Sequence, residues 1–365
     1  MTQQILLTPG PLTTRIETRQ AMLRDWGSRD PAFIALTAEL RTRLLAVAEG
    51  GPTHACVPLQ GSGTFIVEAV LATLLRPADK LLVLVNGAYG ERIAAIARRM
   101  GRAVEILRWP EDRPVEAARV AAALRADPGV THVALVHCET TTGLLNPLAG
   151  IAAAVADAGR HLLLDAMSSF GAIDIDLRTL PLTAVMASSN KCLEGVPGIG
   201  FALIEPAALA AAEGVSPSLS LDLHAQWRGL EKDGQWRFTP PVQVVAALVE
   251  ALRLLDAEGG PPARLARYDG NCRTLVAGMR RLGFELYLEE ALQAPIIATF
   301  RMPRDFPLGF AAFYDALAAR GFLIYPGKLT QAETFRIGCI GAIDRQDIQR
   351  LLAAVEATLA APEGA

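Results

Sequence analysis

The chain predicts an α/β protein: a mostly parallel sheet with helices on both faces, followed by a smaller α+β region. Three observations carry this. Short apolar runs alternate with amphipathic segments, and runs with no polar side belong to strands buried on both faces, as in parallel sheets. The runs are LLVLV (81–85), AVEIL (103–107), HVALVH (132–137), HLLLD (161–165), AVMASS (184–189) and GFALIE (200–205). A length of 365 residues suits two domains, or one large and one small. Polar residues gather just past the runs, at Asn86–Tyr89, Glu139–Thr142, Asp165 and Lys191. In such sheets ligands bind beyond the carboxyl ends of the strands.

Taken in order, residues 1–15 read as an extended arm, because Pro9, Gly10 and Pro11 forbid a helix. TRQAMLR (18–24) and FIALTAELRTRLLAVAE (33–49) repeat apolar residues at three- and four-residue steps and read as helices. CVPLQ leads into GSGT and a helical FIVEAVLATLL. Helical patterns then separate the strands: ERIAAIARRM, VEAARVAAALRAD and IAAAVADAG. The pattern loosens after about residue 205 and resumes with a long helix in PVQVVAALVEALRLLDAE. EGGPPAR (258–264) reads as a hinge. The division expected is an arm at 1–15, a large domain at 16–259 and a small C-terminal α+β domain at 260–365, with APEGA frayed at the end.

Bulk properties exclude several classes. Lys and Arg number 35 against 38 Asp and Glu, a net charge of −3, and there is no basic tract, which argues against a nucleic-acid partner. MTQQILLTPGPL lacks a basic n-region and a long apolar run, so no secretory signal is expected. No stretch approaches a membrane span. The five cysteines (Cys56, Cys138, Cys192, Cys272, Cys339) form no C-x-x-C pair. This composition fits a reduced, cytoplasmic protein without structural zinc. The five histidines show no ligand spacing, so no metal chemistry is expected.

The chemistry concentrates in a few places. SSNKCLEG (188–195) puts Lys191 at the end of an apolar strand and before a glycine-rich loop. Burial lowers the pKa of an amine and makes it a nucleophile suited to Schiff-base chemistry; a lysine that reaches back to solvent is the competing account. Asp165 ends a strand 26 residues earlier and reads either as a turn cap or as an acid sharing a crevice with Lys191. An amine and a carboxylate so placed suit pyridoxal phosphate, the lysine for the aldehyde and the carboxylate for the ring nitrogen. Ser62, Gly63 and Thr64 open a helix and would suit a phosphate or simply cap the helix. GSGT matches neither the dinucleotide fingerprint nor a P-loop. Tyr89 can stack on a flat ring or fill space. ETTTG (139–143) offers three hydroxyls. Arg336, between Phe335 and Ile337, fits an anion fork or an internal ion pair.

LLTPGPLTT, LQGSGTF, VNGAYGER, HCETTTGLLNP, DAMSSFG, SSNKCLEGVPGIGF, SLSLDLHAQWR, WRFTPP, FLIYPGK and FRIGCIG occur in this order. In order and spacing they resemble the 2-aminoethylphosphonate–pyruvate transaminases, class V enzymes of pyridoxal-phosphate fold type I. The resemblance covers nearly the whole chain and implies a mostly parallel seven-stranded sheet. It implies Lys191 and Asp165 as catalytic residues, and a cofactor site of Ser62, Gly63, Thr64, Tyr89, Thr142, Asp165 and Lys191. Thr239 would reach the phosphate from the other subunit of a homodimer, and Arg336 would bind the substrate anion. The implied substrates are 2-aminoethylphosphonate and pyruvate. Cys339 stands where some relatives carry asparagine, and DWGSRDPAF (25–33) would line the substrate entrance. The rival readings are an alanine– or serine–glyoxylate aminotransferase, a class V lyase or desulfurase with a loop cysteine, and a colourless nucleotide-binding module.

Overall fold

The computed structural model describes residues 4–303, 308–327 and 332–360. The terminal APEGA (361–365) and Lys328 of the YPGK stretch lie outside the described residues.

Seven strands make the main sheet: β1 (Ala55–Gln60), β2 (Lys80–Val85), β3 (Ala103–Arg108), β4 (His132–Val136), β5 (His161–Asp165), β6 (Ala184–Ser188) and β7 (Ile199–Ile204). Their spatial order is β3-β2-β4-β5-β6-β7-β1. Only β7 runs against its neighbours, so the other six strands share one carboxyl edge. The alternation of the pleat explains the unbroken apolar runs. In β4, Val133 and Leu135 join the core on one face, and Ala134 and Val136 join the core on the other.

Two helices start at the shared edge: α1 (Gly63–Leu74) and α2 (Ala88–Arg99). Asp30 caps the helix Pro31–Val47 by accepting from the Ala32 N–H at 2.8 Å, with Pro31 in its first turn. Segment 25–33 therefore builds a helix start. The long helix α3 (Val242–Glu258) stops at Gly259, whose φ of 109° is left-handed, and α4 (Gly260–Arg281) begins at the next residue with prolines in its first turn. The hinge expected at EGGPPAR is thus a tight corner between two helices.

Beyond this corner lies an antiparallel sheet of β8 (Ile297–Arg301), β9 (Tyr325–Pro326) and β10 (Thr334–Gly338), in the order β8-β10-β9. The N-terminal arm joins this part of the molecule. Ile5–Leu6 pairs in parallel with Phe322–Leu323, and the Gly338 N–H donates to the Leu7 carbonyl at 2.8 Å. Phe335 is the centre of its core, with ring centroids 5.4 Å from Phe284, 5.6 Å from Phe300 and 5.5 Å from Phe313.

Two of the longer helices escaped the sequence reading. Leu223–Asp233 lies in the loosened stretch, yet Asp222 caps it and left-handed Gly234 ends it. The start and stop signals were present, but only Leu223, Gln226 and Leu230 mark the buried face, too few apolar residues to draw the eye in a loosened stretch. In α4 the inward face carries Arg264, Tyr268 and Asn271 before it turns apolar at Cys272 and Leu275, so a hydrophobic count cannot see it. Among the described residues no helix is long and apolar enough to cross a membrane.

Phe335→Ala removes the central ring of the C-terminal core and should cost about 3–5 kcal/mol. Urea unfolding followed by circular dichroism checks this, and an unchanged midpoint would contradict the packing described.

Candidate active site

The carboxyl edge of the main sheet opens into a cavity of about 200 Å³ lined by Ser62, Gly63, Thr64, Tyr89, Arg92, Cys138, Asp165, Met167, Asn190 and Lys191, among others. Each side chain arrives there for a local reason. Asp165 is the last residue of β5, in register with Val136 of β4 and Met186 of β6, which places it over the middle of the sheet. Its carboxylate accepts the Met167 N–H at 3.0 Å. Burial pushes its pKa up to about 6, against the pull of that N–H, Lys191 and Arg92.

Lys191 follows β6 by three residues in a turn closed by the Glu194 N–H donating to the Lys191 carbonyl at 2.8 Å. Its stem faces the cavity, and its Nζ donates to the Pro9 carbonyl at 2.7 Å. Burial lowers the amine to about 8; Arg336 and Arg92 push the same way, while Cys192 and Asp165 oppose. The reading of Lys191 as a solvent-seeking side chain is not what the geometry shows. The N-terminal arm presses on it closely enough that Gly10 must lack a side chain. A Cβ there would lie 2.8 Å from both Cδ and Nζ of Lys191, at a φ of +128° that other residues avoid.

At the opposite wall, Ser62 is the extended residue before α1, and its hydroxyl makes no capping bond. The first N–H groups of α1 therefore end on the cavity wall without a side-chain cap, as an anion site requires. Arg92 adds a cation: its guanidinium donates to the Thr64 hydroxyl at 3.3 Å and sits 5.0 Å from the Tyr89 ring centroid. Arg92 was passed over in the sequence. Its signal was the three-residue step from Tyr89 on one helix, which puts both on the same face. Cys138 was also missed as a lining residue.

Three expected residues stand apart from the lining. Arg336 is 1 % exposed and lies behind Tyr89. Its Nε donates to the Pro326 carbonyl at 2.9 Å and its Nη1 to the Thr140 carbonyl at 2.8 Å. Its charge still reaches Lys191. Thr142 is buried, with its hydroxyl spent on its own turn: it donates to the Glu139 carbonyl at 3.4 Å and accepts from the Leu144 N–H at 3.3 Å. Thr239 is exposed, beside the 47 % exposed Phe238. Residues 25–33 do not line the cavity, and Cys339 is packed in the C-terminal core.

The donor set fits pyridoxal phosphate. An open helix start suits the phosphate, a buried carboxylate suits a ring nitrogen, and a desolvated amine suits the aldehyde, all on the walls of one cavity. Among the described residues, no group of three or more His, Cys, Asp or Glu could hold a metal ion. All five cysteines are free and buried, so none is the exposed loop nucleophile that a desulfurase reading needs.

Comparison with known proteins agrees with this geometry. The chain is 56% identical over 357 residues to the 2-aminoethylphosphonate–pyruvate transaminase of Pseudomonas fluorescens, covering 98% of this chain and 97% of that one. It is 54% identical to a protein of the same description from Cupriavidus pinatubonensis, over 97% of this chain and 94% of that one. Among solved structures, the alanine–glyoxylate aminotransferase of Nostoc superposes with a TM-score of 0.92 at 26% identity, covering 98% and 96% of the two chains. The pyridoxamine–pyruvate aminotransferase of Mesorhizobium loti gives 0.90 at 25%, covering 98% and 92%. The architecture is that of fold type I. The family model "Aminotransferase class-V" matches residues 24–313, and this chain belongs to the class V aminotransferases.

Proposed function

We propose that the protein transfers the amino group of 2-aminoethylphosphonate to pyruvate, giving phosphonoacetaldehyde and L-alanine, with pyridoxal 5′-phosphate as cofactor. The convergence of the Lys191 amine, the Asp165 carboxylate and the open start of α1 on one cavity carries the cofactor assignment. The near full-length relatives of that description support the substrates.

When bound, the cofactor supplies an aldehyde that accepts the amino group and a ring that draws electrons from the substrate carbon. Ser62, Gly63 and Thr64 hold its phosphate, Tyr89 covers the ring, and Asp165 keeps the ring nitrogen protonated. Lys191 retains the cofactor between turnovers. Once released, its Nζ takes the proton from the substrate carbon and returns it on the other side of the transfer. An ordinary lysine would stay charged at neutral pH; burial is what leaves a usable fraction of neutral amine here. To bind first the phosphonate and then the carboxylate of pyruvate, which offer similar oxygens, the Arg336 fork exchanges the Pro326 and Thr140 carbonyls that it holds at rest.

Thr142 serves the cofactor through the turn it stabilises. Thr239 completes the phosphate site of a partner subunit in a homodimer, a reading supported by its exposure beside Phe238. The reading keeps the division into an arm (1–15), a large domain (16–259) and a small domain (260–365). Five free cysteines suit a cytoplasmic setting.

The purified protein should form alanine from 2-aminoethylphosphonate and pyruvate faster than it forms glycine from glyoxylate with serine or alanine; the reverse ranking would move it to the glyoxylate aminotransferases. Lys191→Ala should lower kcat by at least about 10²–10⁴-fold and abolish the visible absorbance of the lysine-bound cofactor. A variant that keeps that absorbance would remove Lys191 from its role. Uptake of pyridoxal phosphate by the cofactor-free chain should speed up as pH rises and flatten above about 8, where the Lys191 amine is neutral. A rate still climbing at pH 10 would mean an unshifted lysine. Arg336→Lys keeps the charge but loses the fork, and should raise KM for both substrates by about 10- to 100-fold.

A further inference from the structure

Helix α2 begins in an unusual way. Its cap position is Gly87, which has no side chain to accept the orphaned N–H groups of the first turn. The acceptor comes instead from another strand end. The Tyr89 N–H, in that first turn, points between the two carboxylate oxygens of Glu139, at 3.4 and 3.3 Å. Glu139 is fully buried and accepts the Thr141 hydroxyl at 2.9 Å. The fit is close: a Cβ on Gly87 would sit 2.2 Å from the Glu139 Cγ. The glycine of VNGAYG and the glutamate of ETTTG are therefore a matched pair, one making room for the other.

Tyr89 is held at its far end as well, by a side-chain hydrogen bond with Arg336. Arg336 in turn donates to the carbonyl of Thr140, the residue after Glu139. Resting on the reading of Tyr89 as the residue that covers the cofactor ring, we propose that Glu139 is a positioning residue. It caps α2 across the cleft and so fixes the height of the Tyr89 ring over the cavity.

Burial pushes the Glu139 carboxyl up to about 7, with Asp165 adding to the rise and the Thr141 hydroxyl and Tyr89 N–H opposing it. A side chain so often protonated near neutral pH can be replaced by a neutral acceptor, so Glu139→Gln should keep the cap while Glu139→Ala should lose it.

The test has two parts. In the cofactor-free protein, amide hydrogen exchange over residues 86–92 should quicken about tenfold in Glu139→Ala, the size expected for a lost cap, and stay near the unmodified rate in Glu139→Gln. This part does not involve the cofactor, so it stands or falls apart from the proposed function. In the second part, the dissociation constant of pyridoxal phosphate is measured by equilibrium dialysis. Glu139→Ala should weaken binding by about tenfold, and by less than about twofold when Tyr89→Ala is already present, because the two act as a unit. Unchanged exchange in Glu139→Ala, or equal losses with and without Tyr89, would overturn the proposal. Should the alanine variant fail to fold, Glu139→Asp, shorter by one methylene, is read in the same two measurements with the same expectations.

Discussion

The arrangement of the site depends on keeping one lysine amine out of water. Lys191 is brought to the carboxyl edge of the sheet by β6, closed over by the arm at Pro9–Gly10, and faced by Asp165 from β5. Each neighbour has its own reason to be there, yet together they remove hydration from the amine without pairing it fully. Desolvation favours the neutral form, and the Asp165 charge limits how far the shift runs. The reciprocal holds for Asp165, a buried carboxyl raised by the same lack of water. A cationic ring nitrogen is the group that would satisfy it.

A second constraint holds the turn after Lys191 in place. Arg264, with no exposed surface, donates to the Cys192 carbonyl at 2.6 Å and to Glu258 at 2.7 Å. Glu194 accepts from Arg267 and from the Tyr268 hydroxyl, each at 2.7 Å. Arg267 also donates to the carbonyls of Gly341 and Ile343, just beyond the strand that carries Arg336. The lysine turn, the α3–α4 corner and the end of β10 are thereby tied through one buried cluster of charges. Such clusters return little net stability, because desolvating the ions costs about what their attraction gives back. What this one supplies is placement, setting the Lys191 amine and Arg336 in one frame.

How much of this was legible in the sequence can be judged residue by residue. Six of the seven main-sheet strands were readable, five because burial on both faces demands apolar runs and the half-exposed edge strand β3 through AVEIL, whereas CVPLQ of β1 was not read as a strand. Asp165 and Lys191 stood out as charges at the ends of such runs. Ser62, Gly63 and Thr64 were readable as a helix start, and the structure brings all five with Tyr89 to one cavity. Arg92 was hidden because an arginine on an amphipathic helix is ordinary until a cavity is known to lie beside it. Glu139 stood out at a strand end, but its contact was hidden because it is made with the amide of a residue 50 positions away. Helix α4 was hidden because its inner face satisfies arginine, tyrosine and asparagine with partners from elsewhere in the chain.

By itself, then, the sequence determined what is local: the alternation of buried strands and helices, the glycines that leave room, and the residue types able to hold a phosphate, an aldehyde and a ring nitrogen. The tertiary structure alone decided which of these meet, how dry the meeting place is, and which distant groups hold it in shape. The physical reason is that a pKa, a cap or a buried ion pair is set by the atoms around a group. Those atoms come mostly from strands and turns far away along the chain.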